Sequence, residues 1–217
     1  DDDVYYAFLP GYARPDSAIL YKNTFLSLKM DGERIRDGMT CQGLSLDTPY
    51  RVQCGKKTYV LTFLQSGNIP AVYIDVPSGS MEYIHEEKGN EEMGDIRVYT
   101  ESGVPVYQGK LESIKGRGNG TWKPEKKPYS LKLAEAGDLL GMGEAQKWIL
   151  LANAFDTTNL RNKITYDFAK EAGLAYTPDC ELVDLYLNGT YAGVYLLSER
   201  IEIADTRIDI DPAESFL

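Results

Sequence analysis

The sequence predicts an α+β protein: a small all-β, sandwich-like module over residues 1–65, followed by an α+β region over residues 66–217. Three observations carry this expectation. Short apolar runs separated by Gly, Pro and Asp recur through the first 65 residues, a spacing that suits paired strands. Two apolar segments, near 143–152 and 158–172, read as helices. Asn188-Gly189 stands between two apolar runs, and Asn-Gly in that setting marks a tight hairpin because both central residues need φ > 0. Sixteen tyrosines add to the β character, since Tyr suits half-buried strands.

In the first module the strand candidates are 4–9, 18–21, 25–28 and 58–63. Pro10-Gly11, Met30-Asp31-Gly32 and Arg36-Asp37-Gly38 lie between them as turns. Residues 71–76 are a strong strand candidate, and Pro77-Ser78-Gly79-Ser80 a turn. The charged run from Glu86 to Glu92 reads as a solvated loop. Strands at 96–99 and 104–107 flank a turn at Glu101-Ser102-Gly103. Residues 129–133 alternate and form another strand. The helix at 143–152 contains Trp148, Leu150 and Leu151. In the helix at 158–172, Leu160, Ile164 and Phe168 repeat at four-residue spacing and form one apolar stripe. Thr157 or Thr158 can cap its start and Gly173 can end it. Runs 182–187 and 191–197 make the hairpin around Asn188-Gly189, and Gly193 inside its second strand marks a bulge or a close approach.

Composition excludes several functions. The net charge of −10 repels phosphate backbones, so no nucleic acid partner is expected. No apolar run reaches the roughly 20 residues of a membrane span. The single histidine, His85, has no nucleophile elbow near it for a Ser-His-Asp triad. No phosphate-binding loop of the G-x-x-x-x-G-K-[ST] type occurs. Three cysteines without a C-x-x-C pair do not make a zinc site, and no metal ligands are assigned. Asp205, Asp209 and Asp211 lack the Gly and Glu of a calcium loop and read as a solvated edge. Cys41 and Cys54 bracket a short polar segment. They could close a disulfide in an exported protein, or remain two thiols.

One segment runs against the overall charge. Residues 110–132 hold seven Lys and Arg against two Glu. Within them lies Gly116-Arg117-Gly118-Asn119-Gly120-Thr121-Trp122, followed by Lys126-Lys127-Pro128-Tyr129-Ser130-Leu131-Lys132-Leu133. Glycines let a backbone approach an anion closely, and successive N–H groups can cradle phosphate oxygens. A nearby lysine can reach the same phosphates. The same composition also fits a basic hairpin loop.

These motifs, in order, resemble the signature of the CotH family of spore-coat kinases. Trp148-Ile149-Leu150-Leu151-Ala152-Asn153, leading into Asp156-Thr157-Thr158-Asn159-Leu160-Arg161-Asn162-Lys163, continues the match, and residues 185–195 ending near Glu199 complete it. The resemblance covers about residues 66–210. It leaves residues 1–65 as an appended β module.

By that resemblance alone, the 66–217 region would be the amino-terminal part of a CotH-like domain, with an outline like a kinase N-lobe. It would hold ATP with Mg, weakly or not at all as this chain alone, and in a full-length protein would serve transfer of phosphate to serines or threonines of a coat or surface protein, outside the cell or on the spore. Lys127 would position the phosphates, with Lys126 as the alternative. Arg117 and Asn119 would lie in the loop above them. Asp156 or Arg161 would organise the site, although each is equally suited to a cap or a surface ion pair. Glu199 would lead to the segment against which adenine packs. The aspartates that orient the acceptor and hold Mg come, in this family, from patterns like Asp-Gly-x-x-His-Asn and Trp-Asp-x-Asp. Neither occurs here, so no catalytic residue is assigned. The expectation is an incomplete kinase, by truncation or by natural loss, inactive by itself. A surface-, coat- or carbohydrate-binding module without catalysis is the alternative.

Overall fold

The computed structural model describes residues 3–22, 24–205, 207–211 and 213. The chain divides into two compact units, residues 1–68 and 69–217.

The first unit is all β. Its strands are β1 (Val4–Leu9), β2 (Ser17–Leu20), β3 (Leu28–Met30), β4 (Glu33–Ile35), β5 (Met39–Gln42), β6 (Pro49–Cys54) and β7 (Lys57–Gln65). Five of them form a sheet in the order β1-β7-β6-β3-β4, with β1 parallel to β7. β2 and β5 pair separately. The two sheets share a core of Met30, Ile35, Leu44 and Phe63, against which Leu20, Met39 and Cys41 pack. Residues 25–27, expected in a strand, are not in one. Leu26 N–H is drawn to the Thr24 hydroxyl at 3.1 Å, a local bond that competes with a ladder, and β3 starts only at Leu28. Cys41 on β5 and Cys54 on β6 belong to different sheets and are free thiols.

The second unit contains β8 (Ala71–Asp75), α1 (Glu82–Glu86), β9 (Glu91–Tyr99), β10 (Pro105–Gly116), β11 (Tyr129–Asp138), β12 (Glu144–Leu151), α2 (Arg161–Glu171), β13 (Cys180–Leu187) and β14 (Thr190–Glu199). A 3-10 turn at Gly120–Trp122 joins β10 towards β11. Its strands close into a seven-stranded barrel in the order β10-β11-β12-β14-β13-β8-β9. All neighbours are antiparallel except β13 and β8, which run parallel.

The α+β, kinase-N-lobe-like expectation is therefore overturned: both units are β structures, and the second is a closed barrel carrying two helices among the described residues. The main cause is the segment expected as a helix at 143–152. It is strand β12, lying between β11 and β14. Its run Trp148-Ile149-Leu150 is buried on both faces, and a short continuous apolar run does not distinguish a buried strand from a buried helix. The barrel interior is filled by alternating side chains, among them Val72, Ile74, Ile96, Leu133, Trp148 and Leu185, each fully buried.

Turn chemistry follows the sequence more closely. Asn188 and Gly189 both have positive φ, at 50° and 76°. The Asn188 side chain also accepts Val76 N–H at 2.9 Å, pinning the hairpin to the end of β8. Gly193 has φ +107° beside a register shift in the β13–β14 pairing, and Lys126 Cε would lie 3.4 Å from a Cβ built there. α2 ends at Gly173, φ +74°, whose N–H bonds Lys170 O while Leu174 N–H bonds Ala169 O, a glycine-terminated helix end. Its apolar stripe, however, faces outward: Leu160, Ile164 and Phe168 are 42, 60 and 71% exposed.

Candidate functional site

The Gly-rich segment folds back on itself. Arg117 N–H bonds Pro128 O at 3.1 Å, closing the loop at its base. The Trp122 ring lies against Gly116, where a Cβ would meet it at 2.4 Å, and the Thr121 hydroxyl sits 2.0 Å from the position of a Cβ on Gly118. At these two glycines the absent side chains make room for the loop's own Trp122 and Thr121. Lys127 locks this arrangement: its ammonium donates to Trp122 O at 2.8 Å and lies over the indole at 5.0 Å.

An aromatic column backs the loop. His85 on α1 stacks on Tyr129 and shares a 2.7 Å hydrogen bond with its hydroxyl. Tyr129 stacks in turn near Tyr195, whose hydroxyl donates to Lys127 O at 2.9 Å. Burial, and then the Lys127 charge, hold His85 below its usual value. Burial pushes both tyrosines far above theirs.

Lys126 takes the other side. Its ammonium donates to Val194 O at 2.5 Å and lies 4.7 Å from the centre of the Tyr195 ring. Burial lowers its pKa. Burial also lowers that of Arg117, with Tyr166 opposing and Arg200 reinforcing the shift. Among the described residues, none of the ion pairs involves Arg117, Lys126 or Lys127. Asn119 carries no such charge; its side-chain oxygen accepts from Lys88 at 2.9 Å, and Lys88 also donates to Gly118 O.

Beside the loop opens a cavity of about 240 Å³ whose wall includes Thr121, Pro128, Asn153, Asp156, Arg161 and Asn162. It joins the tip and base of the Gly-rich segment to the turn before α2. That turn is organised by Asp156. One carboxylate oxygen accepts Thr158 N–H and hydroxyl at 3.1 and 2.7 Å, and the other accepts Arg161 N–H at 2.9 Å. The expected cap, Thr157 or Thr158, is thus outdone by Asp156, with Thr158 assisting through Leu160 N–H at 3.2 Å. Arg161 Nε lies 3.6 Å from the same carboxylate. Sequence reasoning missed the amide pair beside it: Asn162 donates to Asn153 at 2.8 Å, and Asn153 donates to Asn159 O at 3.0 Å. Asn153 and Asn159 both have positive φ. Three asparagines flanking one Asp within ten residues were the available signal.

The backbone N–H bonds from Arg161 and Thr158, with the Thr158 hydroxyl, hold the Asp156 carboxyl below the usual carboxylate range. The stability this confers is present above the unfolded pKa and is lost as pH falls through the depressed folded one. An Asp156→Asn variant should therefore show a flatter acid limb in thermal unfolding than the parent. Parallel acid limbs for the two proteins would sink the assignment.

Glu199 stands elsewhere. Its carboxylate pairs with Arg207 at 2.6 Å and accepts Asp179 N–H at 2.9 Å. Arg207 lies over the Trp148 ring. Burial raises the Glu199 pKa against the pull of these partners. Glu199 borders a smaller cleft with Tyr176, Arg200 and Arg207, not the cavity beside the Gly-rich loop. The structure thus brings Asp156 and Arg161 to one cavity with the loop, sets Lys126 and Lys127 against its backing, and places Glu199 in a separate ion pair. Among the described residues no group of three His, Cys, Asp or Glu could hold a metal ion.

No curated protein matches the chain. Residues 114–209, from the end of β10 through the Gly-rich turn, α2 and the β13–β14 hairpin, match the model of the family described as CotH kinase protein, and this stretch of the chain is similar to that family.

Proposed function

We propose that the second unit serves a CotH-type, ATP-dependent protein kinase by holding the phosphates of the nucleotide, and that this sequence alone does not complete the transfer. One observation carries the reading. Arg117, Lys126 and Lys127 are partly buried cations that form no ion pair among the described residues, in a protein of net charge −10. Burying positive charge without a counter-charge is costly, and a polyphosphate supplies that counter-charge. None of the three cations lines the cavity, whose wall holds Thr121 of the same loop, Pro128 next to Lys127 in the chain, and Arg161. At about 240 Å³ it is smaller than the roughly 300–1,000 Å³ of a complete ligand site, so it fits part of a nucleotide.

Phosphoryl transfer also needs aspartates to orient the acceptor and hold Mg²⁺. The family patterns that supply them are absent from this sequence, and the described residues offer no metal cluster. The metal would arrive with the triphosphate. A serine or threonine of a coat or surface protein as acceptor, and an extracellular or spore-surface location, rest on the resemblance. The alternative, a binding module without catalysis, is favoured by the exposed Tyr5, Tyr6, Tyr21 and Phe25 of the first unit.

Calorimetric titration of Mg-ATP into the chain is expected to show binding. It should weaken about tenfold or more for each of Arg117→Ala and Lys126→Ala, the range for losing a hydrogen bond to a charged group. Absence of binding to the folded chain, or binding indifferent to both substitutions, would overturn the nucleotide reading and leave the binding module.

A further inference from the structure

The first unit differs in charge from the chain as a whole. Residues 1–68 balance eight Lys and Arg against eight Asp and Glu, so the net −10 of the chain lies in residues 69–217. Several cations of the first unit gather at one place. An open cavity of about 340 Å³ is walled by Lys22, Phe25, Leu26, Arg34, Arg36 and Asp37, among others. Lys29 on β3 stands directly opposite Arg34 on β4, and like charges facing each other across a ladder are destabilising. Lys22, Lys29, Arg34 and Arg36 appear in no ion pair among the described residues. The acid in the wall, Asp37, accepts Lys22 N–H at 2.9 Å, and the Lys22 ammonium donates to Leu26 O at 3.3 Å.

The apolar residues here point outward. Phe25 is 107% exposed, Tyr21 76% and Leu26 55%. The backbone on either side is fixed: Gly38 N–H bonds Leu20 O and Gly55 N–H bonds Ser27 O. A single exposed apolar residue means little. Three within six residues, beside cations without carboxylate partners, have the composition of an interfacial anchor, in which rings enter the acyl boundary and cations meet anionic headgroups.

We propose that Tyr21, Phe25 and Leu26, with Arg34 and Arg36, dock the first unit on an anionic phospholipid surface. The occupant is a lipid surface rather than a soluble anion because a soluble anion gives no role to a fully exposed phenylalanine. The acidic balance of the rest of the chain opposes adsorption to anionic membranes, so binding is confined to this patch and falls as salt rises.

The test is co-sedimentation of the whole chain with vesicles of phosphatidylcholine, with and without about 30% phosphatidylserine, at about 0.1 M salt, a Debye length of roughly 10 Å. Binding is expected to the phosphatidylserine vesicles alone. Phe25→Ala should weaken it about tenfold, the scale of burying one phenyl ring. Arg34→Glu and Arg36→Glu should each weaken it about fivefold or more. Circular dichroism establishes that the charge variants remain folded. Phe25→Ala, at a side chain that touches no core, decides the matter if they do not. Three results overturn the proposal: no sedimentation with phosphatidylserine vesicles, equal binding to neutral vesicles, or binding unaffected by Phe25→Ala. Inhibition by millimolar inorganic phosphate together with indifference to Phe25→Ala would identify a soluble-anion site and equally exclude the membrane reading.

Discussion

Trp148→Ala should lower the free energy of unfolding by about 3–5 kcal/mol, the range for removing a large buried aromatic side chain. Trp148 is fully buried at the centre of β12 and belongs to the barrel core. Three things go with its ring. The cavity left behind is walled by strands that a closed ladder holds apart, so collapse is limited. The indole N–H bond to Ala145 O at 3.1 Å disappears. Arg207, 4.7 Å from the ring centre, loses its aromatic face while still paired to Glu199. Urea unfolding of the two proteins measures the difference. A loss below about 1 kcal/mol, within the reach of an ordinary surface change, would mean that the ring is not the barrel's packing centre.

Gly116→Ala should act on the loop more than on the barrel, with a stability loss of about 1–3 kcal/mol, the usual cost of overpacking. The new Cβ would stand 2.4 Å from the Trp122 ring. The end of a free side chain could swing away at little cost. Trp122 is not free, because Lys127 grips both its carbonyl and its ring and His85 meets its edge. Displacing the indole therefore releases Lys127 and opens the Gly-rich turn. Indole fluorescence should shift, and any Mg-ATP affinity should fall with it. A double variant, Gly116→Ala with Trp122→Ala, should recover part of the Gly116→Ala loss, since the clash is gone. Additive losses in that cycle would show that the two residues do not share the contact.

How much of the fold and the site is legible in the sequence depends on the range of the interaction involved. Asn188-Gly189 identifies its hairpin because the requirement for positive φ is local. Gly173 identifies the end of α2 for the same reason. β12 reads wrongly as a helix because Trp148-Ile149-Leu150 is apolar at every position, leaving no period to follow. Closure of the barrel is invisible in the sequence, since it depends on β8 pairing with β13 more than a hundred residues away. The stripe of α2 reveals a helix correctly but not that its apolar face stays exposed. At the candidate site, the Gly-rich motif is conspicuous, and its lysines stand out as unusual charges. The purpose of two glycines is not legible, because the room at Gly116 and Gly118 is taken by Trp122 and Thr121 from the same loop. Asp156 and Arg161 meet in the turn before α2, whereas Glu199 joins Arg207; no spacing announces either pairing.

The parallel contact between β8 and β13 also orders events in time. Until residues 180–187 have been synthesised, β8 has no partner on one side and the ladder from β8 to β12 stays open. A nascent chain that reaches only α2 presents unpaired strand edges and the apolar side chains of an unfinished interior, the conditions under which strands of different molecules pair. Because the closing contact spans so much sequence, assembly of this unit is slow relative to domains built from local hairpins. Shortening the chain before Cys180 removes β13 and β14, the two strands that shut the cylinder, and the expected product is an aggregate rather than a smaller folded protein.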